Sequence, residues 1–115
     1  MPIENIQAVV TDGPQAGQRV IRLKGPLSIH TVFEFQNLVR GETAPHVIID
    51  FSGVPFIDSS GLGSLVGAHI SAQKARRRLS LTGLNTQVLT LLEMTRIRGM
   101  FAIYQTVEEA ESAPA

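Results

Sequence analysis

The 115-residue sequence has no cysteine, no tryptophan and one tyrosine. Without cysteine there is neither a disulfide framework nor thiol chemistry. No apolar run approaches the roughly 20 residues a membrane-spanning helix needs, and no signal-peptide pattern opens the chain. The expected compartment is therefore the cytoplasm, with no membrane partner. Net charge is also missing: ten Lys and Arg balance ten Asp and Glu, which argues against a dedicated nucleic-acid binder. With no repeats, low-complexity tracts or linkers, a single domain is expected over residues 1–115, with a disordered tail at 112–115.

What is present describes an ordinary globule, 43% hydrophobic and 17% charged. Its charge is uneven. Lys74, Arg76, Arg77, Arg78, Arg96 and Arg98 face a single acid, Glu93, between positions 74 and 98, whereas Glu108, Glu109 and Glu111 end the chain. This is either a basic helix end offset by an acidic last helix or a surface for an acidic partner.

Alternation over Ile6–Thr11, turn residues in TDGPQAG (11–17) and strand character over Arg19–Leu23 predict a hairpin. Ser28 is the expected N-cap of a helix over 29–40 closed by Gly41, with Ile29, Val32, Phe33, Phe35 and Val39 on one broad side and Leu38 at the margin. The β-branched run HVIIDF (46–51) fits a strand covered on both faces. LSLTGL (79–84) reads as another strand. Val88, Leu91, Leu92 and Thr95 recur at helical spacing, MFAIY (100–104) follows, and Thr106 with Glu109 forms a capping box for a last helix. This alternation of strands and helices predicts an α/β domain.

The segment FIDSSGLGS (56–64) concentrates the candidate chemistry. A G-x-S-x-G nucleophile elbow needs glycine two residues before the serine, but Asp58 and Ile57 hold those places. GLGSLVG misses the dinucleotide fingerprint because Val66 takes the third glycine's position, and no P-loop Gly-Lys-Ser/Thr exists. His30 and Glu34, four apart, offer two metal ligands without a third, so no metal is expected. His69 falls on an apolar helix side and reads as a packed imidazole. No cofactor and no catalytic constellation emerge.

The helix after the serines, expected to run to about Arg77, has two unlike sides. Leu62, Leu65, Val66 and His69, with Ile70 at the edge, form the expected core stripe. Ser60, Gly63, Ser64, Gly67 and Ser71 form the other. Each internal glycine costs on the order of 1 kcal/mol relative to alanine. Either another element of the chain crosses closely there, or the smooth side is a docking patch that is cheap to desolvate. At the helix start, a serine hydroxyl serves as N-cap, or the unpaired N–H groups tolerate an added phosphate that repels an acidic partner.

VIIDFSGVPFIDSSGLGSLVGAH resembles the central motif of STAS domains, the module shared by sulfate transporters and anti-sigma factor antagonists. The likeness runs from RLKGPL through LSLTGLNTQVLTLLEMTRIRGMFAIYQTVEEA. It implies a STAS-like α/β fold: a small central mixed β-sheet with about four helices packed on it, and binding without catalysis. It implies an anti-sigma factor antagonist that binds an anti-sigma factor serine kinase, is released on phosphorylation of Ser59, and is reset by a protein serine phosphatase. Asp58 and Ser60 then shape the acceptor site, Gly61 and Gly63 permit close approach, and Ser64, Gly67 and Ser71 extend the partner surface. The alternative is a non-phosphorylated accessory subunit of a transport ATPase or signalling scaffold. The chain departs from the family at Pro26-Leu27-Ser28, where Glu-Leu-Asp is common, and at Arg76–Arg78, where glycines are common.

Overall fold

The computed structural model describes residues 5–114. Strand β1 (Gln7–Asp12) turns back into β2 (Gln18–Lys24), which leads through α1 (Val32–Arg40) to β3 (His46–Gly53). Helix α2 (Ser59–Lys74) connects β3 to β4 (Arg78–Thr82). Helix α3 (Thr86–Met94) and a 3-10 turn (Arg98–Met100) lead to β5 (Ala102–Tyr104), and α4 (Val107–Ser112) follows. The five strands lie in sequence order; β1 and β2 are antiparallel, and the pairs from β2 to β5 are parallel. The mixed sheet, its four helices and the hairpin all agree with the sequence expectation.

Side chains alternate across the sheet, so each buried strand feeds two cores. Ile21, Leu23, Val47, Ile49, Phe51 and Leu81 pack against Phe35 of α1, Leu65 and Ala68 of α2, and Val88 and Leu92 of α3. On the other face, Val20 and Ile48 pack against Val107 and Ala110 of α4. The β-branched run in β3 is thus covered on both sides, as its composition predicts.

Helix α4 is capped by Thr106, whose hydroxyl accepts the Glu109 N–H at 3.1 Å. Its C-terminal end is held when Gln18 Nε2 donates to the Glu111 carbonyl oxygen at 2.9 Å. Ser112 is the last residue of this helix, and Arg78 Nη2 donates to the Pro114 carbonyl oxygen at 3.1 Å. The part of the expected tail that is described, 112–114, is therefore placed against the domain; residue 115 lies outside the described residues.

Helix α1 starts later than its sequence pattern, and α2 buries small residues alongside its expected stripe of Leu62, Leu65 and Val66. Helix α1 begins at Val32, not 29, and Ser28 is not its N-cap. Residues 28–31 form a turn in which Thr31 Oγ1 accepts the Ser28 N–H at 2.9 Å and donates to the Pro26 carbonyl oxygen at 2.7 Å. Rotated accordingly, α1 buries Val32 and Phe35 and packs Leu38 and Val39 on the core, while Ile29 and Phe33 are 58% and 72% exposed. In α2 the buried residues are Gly61, Ser64, Leu65 and Ala68, and Ile70 turns outward. Small side chains on this side let the helix approach closely, which an apolar-stripe reading passes over.

Candidate functional site

Beyond the strands, Leu27 and Ile57 form a parallel bridge. The Leu27 N–H donates to the Phe56 carbonyl, and the Asp58 N–H donates to the Leu27 carbonyl, each at 3.2 Å. This lays the 26–31 loop over the first turn of α2. Contact there is so close that a Cβ on Gly61 would stand 2.1 Å from the Leu27 oxygen. Gly61 thus permits a close approach within the chain and is itself buried.

Asp58, in an extended conformation, is the N-cap of α2. Its Oδ1 accepts the Gly61 N–H at 2.8 Å, and its Oδ2 accepts the Ile29 N–H at 3.0 Å. These two backbone donors, Gly61 first, stabilise the charged carboxylate and hold its pKa below the ordinary value, with a smaller contribution from nearby His30. The cap is therefore the aspartate and not a serine hydroxyl. Ser59, the first residue of α2, is exposed, and its hydroxyl has no hydrogen-bond partner among the described residues. Ser60 is half-buried beside it.

From Ser59 the outward stripe of α2 continues through Gly63, Gly67 and Ile70, all exposed. A Cβ on Gly63 or Gly67 would meet nothing within 4 Å, so no described element crosses the helix there. The smooth side borders a groove of about 300 Å³ between α1 and α2, lined by Val39, Arg40, Gly63, Gly67 and Ser71 among others. Ser64 lies on its floor; it is buried, with its hydroxyl donating to the Gly61 carbonyl at 2.7 Å. Of the expected partner residues, Gly63, Gly67 and Ser71 are exposed, whereas Gly61 and Ser64 are bound up in the fold.

Three surface residues escaped the sequence pattern: Ile29, Phe33 and Phe56. Ile29 is tied directly to Asp58, Phe56 stands two residues before it, and Phe33 follows on the first turn of α1. The available signal was Thr31, a second cap-forming residue directly before Val32, which would have shifted the helix start.

His69 lies ten positions past Ser59, about 15 Å along the helix at 1.5 Å per residue, and packs edge-on to Phe101 with ring centroids 5.3 Å apart. His46 is buried, with Nε2 at 2.9 Å from Ser80 Oγ. His30 and Glu34 are both exposed, and no metal-holding group of three or more His, Asp or Glu occurs among the described residues. No helix among those residues is long and apolar enough to cross a membrane.

A sheet with β1 antiparallel and four parallel strands, carrying an Asp-Ser-Ser-Gly corner at the start of its longest described helix, defines a mixed α/β domain. The STAS domain family matches residues 5–110, and the chain belongs to that family. The chain is 25% identical over 92 residues to the anti-sigma F factor antagonist of Paenibacillus polymyxa, covering 76% of this chain and 79% of that protein. In fold it is similar to an anti-sigma factor antagonist from Mycobacterium paratuberculosis, with a TM-score of 0.78 at 21% identity over 91% of this chain and 90% of the other. It is also similar to the Bacillus cell fate determinant SpoIIAA in its phosphorylated form, with a TM-score of 0.68 at 21% identity over 90% and 96% of the two chains.

Proposed function

We propose that this protein is an anti-sigma factor antagonist whose partner choice is switched by phosphorylation of Ser59. The observation that carries the reading is the division of labour at the α2 N-terminus: Asp58 caps the helix, leaving the Ser59 hydroxyl exposed and unneeded by the fold. Unphosphorylated, the protein binds an anti-sigma factor serine kinase through the exposed face around Ser59. The kinase transfers the γ-phosphoryl group of ATP to Ser59 Oγ and is released, and a serine phosphatase resets the switch. The chain itself acts as binding partner and substrate, not as catalyst.

The physical basis is local. A phosphate of roughly −1.5 to −2 charge can be borne by the N–H groups at a helix start, but here it stands beside the ionised Asp58 and within a face that a partner must desolvate. Moving a partner from 99:1 bound to 1:99 needs about 5.5 kcal/mol. Repulsion and lost hydrogen bonds reach that scale only in a desolvated interface. The smooth side at Gly63 and Gly67 and the apolar side chains of Ile29 and Phe33 supply a surface of that kind.

The test is incubation with purified anti-sigma factor kinases of the same genome and ATP, followed by mass-spectrometric location of the phosphate. Ser59→Ala should bind the kinase and accept no phosphate, and Ser59→Asp should bind poorly. Full phosphorylation of Ser59→Ala would remove the assignment. Stable binding without any phosphorylation by every such kinase would instead favour an accessory STAS subunit of a transport ATPase or scaffold. A serine-reactive phosphonate should label nothing.

A further inference from the structure

We propose that strand β1 is a self-association edge through which two copies of this chain form a weak, symmetric dimer. All six residues of β1 are exposed; Val9 and Val10 are 61% and 41% accessible. Natural sheets protect an open edge with lysine, proline, a bulge or a short strand. The far edge uses the last device, since β5 has three residues. Strand β1 uses none of them. It has neither lysine nor proline and pairs with β2 in unbroken register from Gln7–Lys24 to Asp12–Arg19; the one register shift lies on the β2–β3 side. Its single charge, Asp12, is already paired with Arg19 at 3.2 Å.

The hydrogen-bond alternation selects the register of the dimer. The Gly13 N–H donates to the Gln18 carbonyl at 3.0 Å. In an antiparallel ladder this turns the backbone groups of Gln7, Val9 and Thr11 toward β2 and those of Ala8, Val10 and Asp12 toward the open edge. A two-fold axis normal to the sheet at Val10 sets Val10 against its own copy and Ala8 against Asp12 of the other chain, which engages every outward group in about six backbone hydrogen bonds. Side chains stay matched in face, Val9 meets Thr11, and no like charges oppose each other. The second copy is thus the occupant that fits both the backbone pattern and the charges. The paired strands form one continuous ten-stranded sheet and leave α1, α2 and Ser59 uncovered, so dimerisation is independent of the phosphorylation switch. Two short strands bury less than the roughly 1,200 Å² of a stable interface, so the dissociation constant falls on the order of tens to hundreds of micromolar.

The test is sedimentation velocity of the whole chain as a function of concentration, with backbone amide exchange followed by NMR. The expected mass rises from 12.5 kDa toward twice that value. The outward amides of Ala8, Val10 and Asp12 should gain protection with concentration, while those of Val9 and Thr11 are protected throughout. Val10→Lys places two like charges on the axis, and Val10→Pro removes only an outward N–H; each should shift the dissociation constant at least tenfold with unchanged far-ultraviolet circular dichroism. A wild-type mass that stays at 12.5 kDa up to about 1 mM, or dimers in which the outward amides gain no protection, overturns the proposal. A Val10→Lys protein that dimerises like wild type does the same.

Discussion

The Asp58 carboxylate reaches across 29 positions of sequence to accept the Ile29 N–H at 3.0 Å, while its other oxygen caps Gly61 at 2.8 Å. One side chain thus fixes both the start of α2 and the loop that precedes α1. Asp58→Ala should cost about 1–2 kcal/mol in urea unfolding, from a lost cap and a lost tether. Ser59→Ala should change stability by less than about 0.5 kcal/mol, because its hydroxyl holds nothing.

The same carboxylate makes stability depend on acid pH. Its folded pKa lies below the unfolded value near 3.8, chiefly because the Gly61 and Ile29 amides bond the charged form. The contribution is therefore complete above pH 3.8 and is lost as pH falls through the folded pKa. Unfolding free energies of wild type and Asp58→Asn, measured between about pH 2 and 6, should converge toward the acid end.

His46 works in a second pH window. Burial, reinforced by the charge of Arg78, lowers its pKa from 6.5. The neutral ring is the folded form, so its contribution is full above pH 6.5 and falls away as pH drops through the lower folded pKa. In His46→Gln the dependence of the urea midpoint on pH just below 6.5 should flatten, whatever the substitution costs at pH 8.

The three glycines of α2 should respond in opposite directions. Gly61→Ala drives a Cβ against the Leu27 carbonyl at 2.1 Å and should destabilise by about 3 kcal/mol. Gly63→Ala and Gly67→Ala enter open space and should each stabilise by about 0.5–1 kcal/mol, from helix propensity. If that side is the docking surface, both should bind the kinase more weakly despite the firmer fold, which calorimetric titration beside thermal unfolding would show.

Arg76 occupies the left-handed region with φ of 56° just past the end of α2, a position that favours glycine. Its N–H and that of Arg77 close the helix end by donating to the Gln73 and Ala72 carbonyls. Arg76→Gly should therefore stabilise by about 1 kcal/mol, read from the urea midpoint. The family departure at this position is a backbone cost as well as a change of charge.

Much of the architecture was legible because its signals are local. The hairpin follows from TDGPQAG, β3 from an uninterrupted β-branched run, and α4 from Thr106, whose hydroxyl accepts the Glu109 N–H as the pattern predicts. Ser59 was legible as a candidate through its motif. The faces of α1 and α2 were legible only in part. In α1 the apolar pattern admits a start at 29 as readily as at 32, and the choice depends on Thr31 bonding the Ser28 N–H and Pro26 carbonyl in three dimensions. In α2 the stripe was right for Leu62, Leu65, Val66 and His69 but incomplete, because Gly61, Ser64 and Ala68 are buried as well and Ile70 is not.

The sequence by itself determined the order of elements, the class of the fold and the place of the Asp-Ser-Ser-Gly corner at a helix start, since turn chemistry, strand composition and capping act over a few residues. Only the tertiary structure decided which serine neighbour caps, which glycine is structural and which are open, and which apolar side chains of α1 reach the surface. Those outcomes turn on contacts between segments far apart in the chain, such as Leu27 with Gly61 and Ile29 with Asp58, and the distances between such segments are set by packing rather than by local preference.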